Sequence, residues 1–437
     1  MSYTKSAIMS KVNYRTIHEQ FMQNHNGTTP LETVLVVTPT AVTIILSNCF
    51  ALCAPQVLHS QKFLIEFCIL VLPLVFHSTL LADYITESLI AMIILCATFL
   101  FIYVMNSPSK TTLKWSTISK SFDMNILITN FRGTVNLITA ICILAVDFQT
   151  FPRRFAKTEA LGWGLMDTGV GLFVVANGLV DPVARGQAGS MTKVIRGCIP
   201  LLMLGVIRFV SIAWLQYQQH ITEYGIHWNF FFTLAITKLL GTGMLKLSNF
   251  PLSWAVLCLK IHHVLLVSGV ADWVLGDTPR DNIFSANREG LCSLLGYITL
   301  YHCSVTLGNW LRTQEDKQKL FLKLAAFAAV MWFLAIMFGP PSRRLADASY
   351  IAWILAYSCT MLSLFLVTQG TSLALAFLSK LPPYFPAILA EINLNGFAFF
   401  MLANLLTGVI NMSVNTLYVA PVGSMTIVIT YMFLLSQ

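Results

Sequence analysis

The 437 residues carry 27 Lys and Arg against 19 Asp and Glu, a net charge of +8, yet only 11% are charged and 56% are apolar, with a mean hydropathy of +0.71. A soluble chain of this length would be about 25% charged, so these apolar side chains must face lipid rather than water. The scattered cations form no basic face, which argues against a nucleic-acid partner and suits membrane lipid headgroups or phosphate-bearing substrates.

The first thirty residues are polar and hold no apolar core or cleavage site of a signal peptide, so the first span is expected to act as the targeting signal. Taking about 17 to 25 mostly apolar residues as a span, spans are predicted at 31–54, 64–82, 88–105, 133–149, 164–181, 197–215, 228–247, 252–274, 291–311, 320–338, 349–368, 394–413 and 417–435, thirteen in all. Segment 164–181 is unusual in carrying Asp167 and Asn177, and the last two spans are parted only around Asn411 to Thr416. Turn signals such as Asn249-Phe250-Pro251, Gly339-Pro340-Pro341 and Pro382-Pro383 break the helices. The longest connections, 106–132 and 369–393, are too short for a soluble domain. The expected organisation is therefore a polar tail over 1–30 and a single all-α, polytopic transmembrane domain over 31–437.

An odd number of spans puts the two ends on opposite faces of the membrane. Cations number ten on the N-terminal side, with Lys5, Lys11 and Arg15 among them, and twelve on the other, with Lys110 and Lys114. Setting Arg153, Arg154 and Lys157 aside for function leaves seven against twelve, which points to a lumenal N-terminus and a cytosolic C-terminus. The sequon Asn26-Gly27-Thr28, which is modified only in a secretory lumen, agrees. The ten cysteines show no CxxC pair and no His at metal spacing, so they read as small buried hydrophobes, with no metal site and no disulfide framework.

Ionisable residues at membrane depth are functional candidates, although most here lie near span ends, where they can reach the interface. One segment gathers several. Asp147 ends a span; Arg153, Arg154 and Lys157 follow within ten residues; and Phe148, Phe151, Phe155 and Trp163 hold the loop at the interface. A partly desolvated carboxylate beside cations suits a general base with a partner for a developing anion. The same spacing also fits an interfacial anchor in which the cations bind lipid phosphates and Asp147 pairs with one of them.

The run AVDFQTFPRRFAKTE at 145–159, continuing to LMDTGVG at 165–171, resembles the signature of the endoplasmic-reticulum inositol acyltransferases of GPI-anchor biosynthesis, the glucosaminyl-phosphatidylinositol acyltransferase family. Further segments are similar in the same order: Asn26-Gly27-Thr28-Thr29 with Glu32, HITEYGIHWNFFFTL at 220–234, FSANREGLCSLLGY at 284–297, SRRLA at 342–346 and NGFAFFMLANLLTGVINMSVNTL at 395–417. The resemblance implies transfer of a long acyl chain, typically palmitoyl, from palmitoyl-CoA as co-substrate to the inositol 2-hydroxyl of glucosaminyl-phosphatidylinositol, with no bound cofactor. It matches Asp147 and Lys157 to the family's essential acidic and basic positions, Asp147 as base and Lys157 as the group that orients it or receives the oxyanion, with roles exchangeable in part. Arg153 and Arg154 are the expected phosphate donors. Asp167, Asn177, His227, Asn287, Arg288 and Glu289 are further substrate-binding candidates that suit helix packing equally well. Val170, Leu172, Phe173 and Val174 are expected to line an acyl tunnel. His262, His263 and His302 lie outside the matched motifs and are expected to be hydrogen-bonded interior residues. The alternative class is a polytopic transporter of a lipid or CoA-type substrate, although no paired interrupted helices mark inverted repeats.

Overall fold

The structure, a computed structural model, describes residues 14, 16–23, 25–106, 115–215, 221–380 and 382–437. Lys5, Lys11, Arg15, Lys110, Lys114 and the first residue of the 220–234 motif lie outside the described residues. Those described form helices joined by turns and irregular segments, with no strand element.

Among the described residues, ten helices are long and apolar enough to cross a membrane: Pro30–Cys53, Ala82–Tyr103, Met124–Ala145, Met191–Ser211, Phe230–Leu247, Pro251–Leu275, Arg288–Thr313, Lys317–Phe338, Ala348–Ser379 and Gly396–Ser413. The other three predicted spans form shorter stretches, so length alone does not establish thirteen crossings. The 64–82 segment is interrupted by a π turn at Phe67–Val71 ahead of Pro73, which lacks the N–H a straight helix would use. Segment 164–181 begins as a 3-10 turn and is α-helical only over Thr168–Gly178, before Asp181-Pro182. The last segment is the 16-residue helix Pro421–Ser436.

Two expected connections are largely helical over their described residues. The helix predicted from 133 starts at Met124, where the Asp123 carboxylate caps the Asn125 N–H at 2.8 Å. Asn130, which falls in the expected connection, and Asn136, inside the predicted span, are both buried against protein rather than lipid. The 369–393 connection is helical to Ser379, with Gln369 and Ser372 buried, and again over Ala387–Leu394. Gln369 Nε2 donates to the Asp123 carbonyl at 3.0 Å.

The chain forms two compact units, residues 1–156 with 361–437, and residues 157–360. In the first, the Tyr431 hydroxyl ties three helices by contacting the carbonyl oxygens of Ala140 at 3.1 Å and Ala403 at 3.2 Å. Gly133 lets Ala387–Leu394 approach closely, since a Cβ there would lie 2.8 Å from the Leu389 oxygen. Glu66, 1% exposed, accepts the N–H groups of Ala387 at 3.0 Å and Ile388 at 2.8 Å and the Tyr384 hydroxyl, satisfying the start of that helix from another element.

In the second unit, small residues again set the crossings. Gly241 faces the Tyr301 ring, Gly178 faces Ser304, and Gly296 faces the Ala346 carbonyl, where an added Cβ would sit at 2.1 Å. The Tyr301 hydroxyl donates to Asp181 at 2.6 Å. A π turn at Leu266–Val270, with Gly269 at φ +101°, bends the helix that starts at Pro251. Six cysteines are buried, Cys53 and Cys68 are exposed, and all ten are free thiols.

Candidate active site

In the unit of residues 1–156 and 361–437, Asp147 stands in the turn that ends helix Met124–Ala145, where the N–H groups of Asp147 and Phe148 bond back to Leu144 and Ala145. Asp147 is 6% exposed. Its Oδ2 accepts Asn411 Nδ2 at 2.7 Å, and His18 Nε2 lies 3.3 Å from Oδ1. Neither partner was singled out from the sequence, because both lie far along the chain; the only signal was the presence of Asn411 in the 395–417 motif.

Arg153 is folded back onto the turn that carries Asp147. Its guanidinium donates to the carbonyls of Val146 at 2.7 Å and Phe151 at 3.0 Å and packs on the Phe21 ring at 4.1 Å. Burial lowers it to about 10, against the pull of the Asp147 charge. Arg154 is bound to Glu32 at 3.0 Å, Asp83 at 2.8 Å and the Ala82 carbonyl at 3.0 Å. Glu32 is itself held by Thr28, while Thr29 caps the helix Pro30–Leu35, so the Asn26 to Glu32 motif builds the seat of Arg154. Both arginines are thus engaged with protein groups.

The unit 157–360 carries the other charges. Lys157 Nζ, on a side chain 39% exposed, donates to both carboxylate oxygens of Glu223 at 2.9 and 3.0 Å. Burial would raise the Glu223 carboxyl, but the charges of Lys157 and Arg343 outweigh it and hold the group down to about 2. Asp167 is fully buried; it accepts the Thr158 N–H at 3.0 Å, the Thr158 hydroxyl at 2.8 Å and Arg343 Nε at 2.8 Å. Burial opposes the charge on Arg343, yet Glu223 and Asp167 together raise it above the usual guanidinium range.

Asn287 is a clamp. Its Oδ1 accepts the N–H groups of His227 at 2.8 Å and Trp228 at 3.0 Å, and Gly225, at φ +116°, leaves no room for a Cβ beside it. His227 is exposed, with its ring 5.4 Å from Phe209. Glu289, fully buried, pairs with Arg280, Arg288 and Arg344. Asn177 Nδ2 donates to the Phe173 carbonyl of its own helix at 2.9 Å. Val170, Leu172 and Val174 are buried, and half-buried Phe173 meets Phe230 edge-on at 5.5 Å. Among the described residues no three His, Cys, Asp or Glu side chains are arranged to hold a metal. His262 Nε2 donates to the Leu345 carbonyl at 3.0 Å, but His263 is exposed and His302 is buried without a hydrogen-bond partner, correcting the expectation for those two.

Comparison with known proteins gives the geometry its context. The GWT1 family model matches residues 14–437. The chain is 32% identical to GPI-anchored wall transfer protein 1 of Gibberella zeae, over 96% of this chain and 95% of that protein. It is 31% identical to glucosaminyl-phosphatidylinositol-acyltransferase PIGW of Homo sapiens and 30% identical to the Bos taurus protein of that name, in each case over 96% of both chains. A match across nearly the whole of an all-helical, multi-pass chain is not a shared fragment: the chain belongs to the GWT1 family.

Proposed function

We propose that this protein is an O-acyltransferase of the endoplasmic-reticulum membrane that moves a palmitoyl chain from palmitoyl-CoA to the inositol 2-hydroxyl of glucosaminyl-phosphatidylinositol. The observation that carries the reading is the Asp147 carboxylate, buried at the end of an apolar helix and oriented by Asn411, in a chain whose relatives include proteins named for that acyl transfer. A carboxylate in that setting costs free energy that Asn would avoid, which supports selection for proton acceptance.

In this mechanism the inositol oxygen attacks the thioester carbonyl carbon as its proton passes to Asp147. The carbonyl oxygen gains negative charge, and Lys157 stabilises it. Collapse of the tetrahedral species breaks the carbon–sulfur bond, and the proton returns from Asp147 to the departing thiolate. Asn411 and His18 position the base. Glu223 aims Lys157, and the Asp167–Arg343 pair anchors the loop that bears it. Arg153 and Arg154 shape the Asp147 turn. The acyl chain lies along Val170, Leu172, Phe173 and Val174, and the termini face the lumen and the cytosol respectively.

The test is acyl transfer by the purified full chain with acyl-CoA and an inositol lipid acceptor. Asp147→Asn lowers turnover by about 10² to 10⁴-fold, as loss of a general base does, and Lys157→Ala does likewise. A folded Asp147→Asn protein with near-normal transfer refutes the mechanism. Substrate transport by a wild type that never acylates would establish a carrier instead.

A further inference from the structure

Around Glu289 the charges do not balance. Arg280 forks onto this fully buried carboxylate, Nη2 to Oε1 at 2.5 Å and Nη1 to Oε2 at 3.1 Å. Arg344 Nη2 reaches Oε1 at 3.3 Å, and Arg288 Nε stands 3.6 Å from the same oxygen. Three guanidiniums therefore share one carboxylate, and this ion-pair set keeps two positive charges in excess. The side chains of Arg288 and Arg344 are only 4% and 8% exposed. Their Nε atoms are buried, with no hydrogen-bond partner. Excess charge held away from water is costly unless a counter-ion meets it.

The guanidiniums are also set in place in advance. Arg288 Nη2 donates to the Gly276 carbonyl at 2.6 Å, and Arg344 donates to the carbonyls of Val274 at 3.1 Å and Glu159 at 3.3 Å. Planar guanidiniums fixed by carbonyls suit the paired oxygens of a phosphate better than flexible lysines would. Arg280, with its side chain 18% exposed, is the accessible member. The Glu159 contact places the cluster at the foot of the loop that begins with Lys157.

We propose that Arg280, Arg288 and Arg344 form an anion site that takes a phosphate ester. Its identity rests on the acyl-transfer reading, which leaves two sources: the phosphates of the nucleotide that carries the acyl group, or the phosphodiester of the inositol lipid. The site itself rests only on the charges.

The test uses the purified full chain and reads binding without turnover, as the shift in thermal unfolding midpoint on titration. One arm adds adenosine 3′,5′-bisphosphate to protein in neutral detergent. The other compares nanodiscs of phosphatidylinositol with nanodiscs of phosphatidylcholine. Saturable stabilisation in the first arm assigns the site to the donor nucleotide, and stabilisation by phosphatidylinositol alone assigns it to the acceptor lipid. In either case Arg280→Gln weakens binding about tenfold, the loss expected for one charge-assisted pair. Arg280→Lys, which keeps the charge but not the fork, falls in between and serves if the Gln variant does not fold. Absence of stabilisation in both arms, or titrations of the Arg280 variants that match wild type, overturns the site and leaves the arginines as carbonyl clamps. A wild type that binds phosphate through Arg280 yet never acylates inositol keeps the site and sinks the reaction; arginine-independent acylation with no phosphate binding does the reverse.

Discussion

Removing the Asp167 carboxylate should be among the most destabilising single changes in the unit 157–360. Asp167→Ala takes away the acceptor of the Thr158 N–H and hydroxyl and the partner of Arg343 Nε, all within 3.0 Å and away from water. Breaking a buried pair by deleting one partner costs about 3–5 kcal/mol, because the surviving charge is uncompensated. Arg343 would still feel the Glu223 charge and the Tyr224 ring at 5.8 Å, which argues for the lower end, about 3 kcal/mol. Asp167→Asn keeps an acceptor for Thr158 and should cost roughly half as much. The double change Asp167→Leu with Arg343→Met removes both charges, and its cost should fall short of the sum of the single losses by about 2 kcal/mol, a coupling typical of contacting residues. Reversible unfolding of the purified protein in mixed micelles measures each value. A loss below about 1 kcal/mol for Asp167→Ala, or strict additivity in the cycle, would show that the pair does not hold the Lys157 loop.

Three further outcomes are expected. Burial raises the Asp347 carboxyl from 3.8 to about 6, although it accepts the N–H groups of Ser342 and Tyr350. A raised acid favours the folded state at low pH, so this contribution is complete below about 4 and lost as pH rises through 6; unfolding curves between those limits should flatten in Asp347→Asn. Glu223 works in the opposite sense: its depressed carboxyl stabilises above about 4.5 and fails as pH falls towards 2, a slope that Glu223→Gln should remove. Glu66→Ala should cost about 2 kcal/mol and speed hydrogen exchange at Ala387 and Ile388, whose N–H groups it accepts; unchanged exchange there would refute its capping role.

The membrane class and most helices were legible because long apolar runs leave few alternatives. The failures share one cause. Asn130, Gln369 and Ser372 look like loop residues to a hydropathy count, yet they lie in helices whose neighbours are protein, where a polar side chain can bond to a carbonyl. Helix Ala348–Ser379 is 83% buried over its most apolar stretch, against 17% for Ala82–Tyr103, so a rule calibrated on lipid-facing helices ends the first too early and suits the second. The break at Phe67–Val71 has Pro73 as its visible mark, but the π turn that accommodates it is a matter of packing.

The site was legible as a list of charges and not as a set of pairings. Arg153 and Arg154 are adjacent and chemically alike, so sequence gave both the same phosphate-binding part. The chain's path separates them: Arg153 is spent on carbonyls two to seven residues away, and Arg154 on acids more than sixty residues away. The converse holds for Arg280, Arg288 and Arg344, which are dispersed in sequence but meet on one carboxylate. The guanidiniums of both groups donate to carbonyls or carboxylates; what sets the second group apart is that three of them share one carboxylate, an excess that retains attraction for an anion. Charge balance within a contact set, rather than the density of cations along the chain, is what directs the proposed phosphate site to Arg280, Arg288 and Arg344.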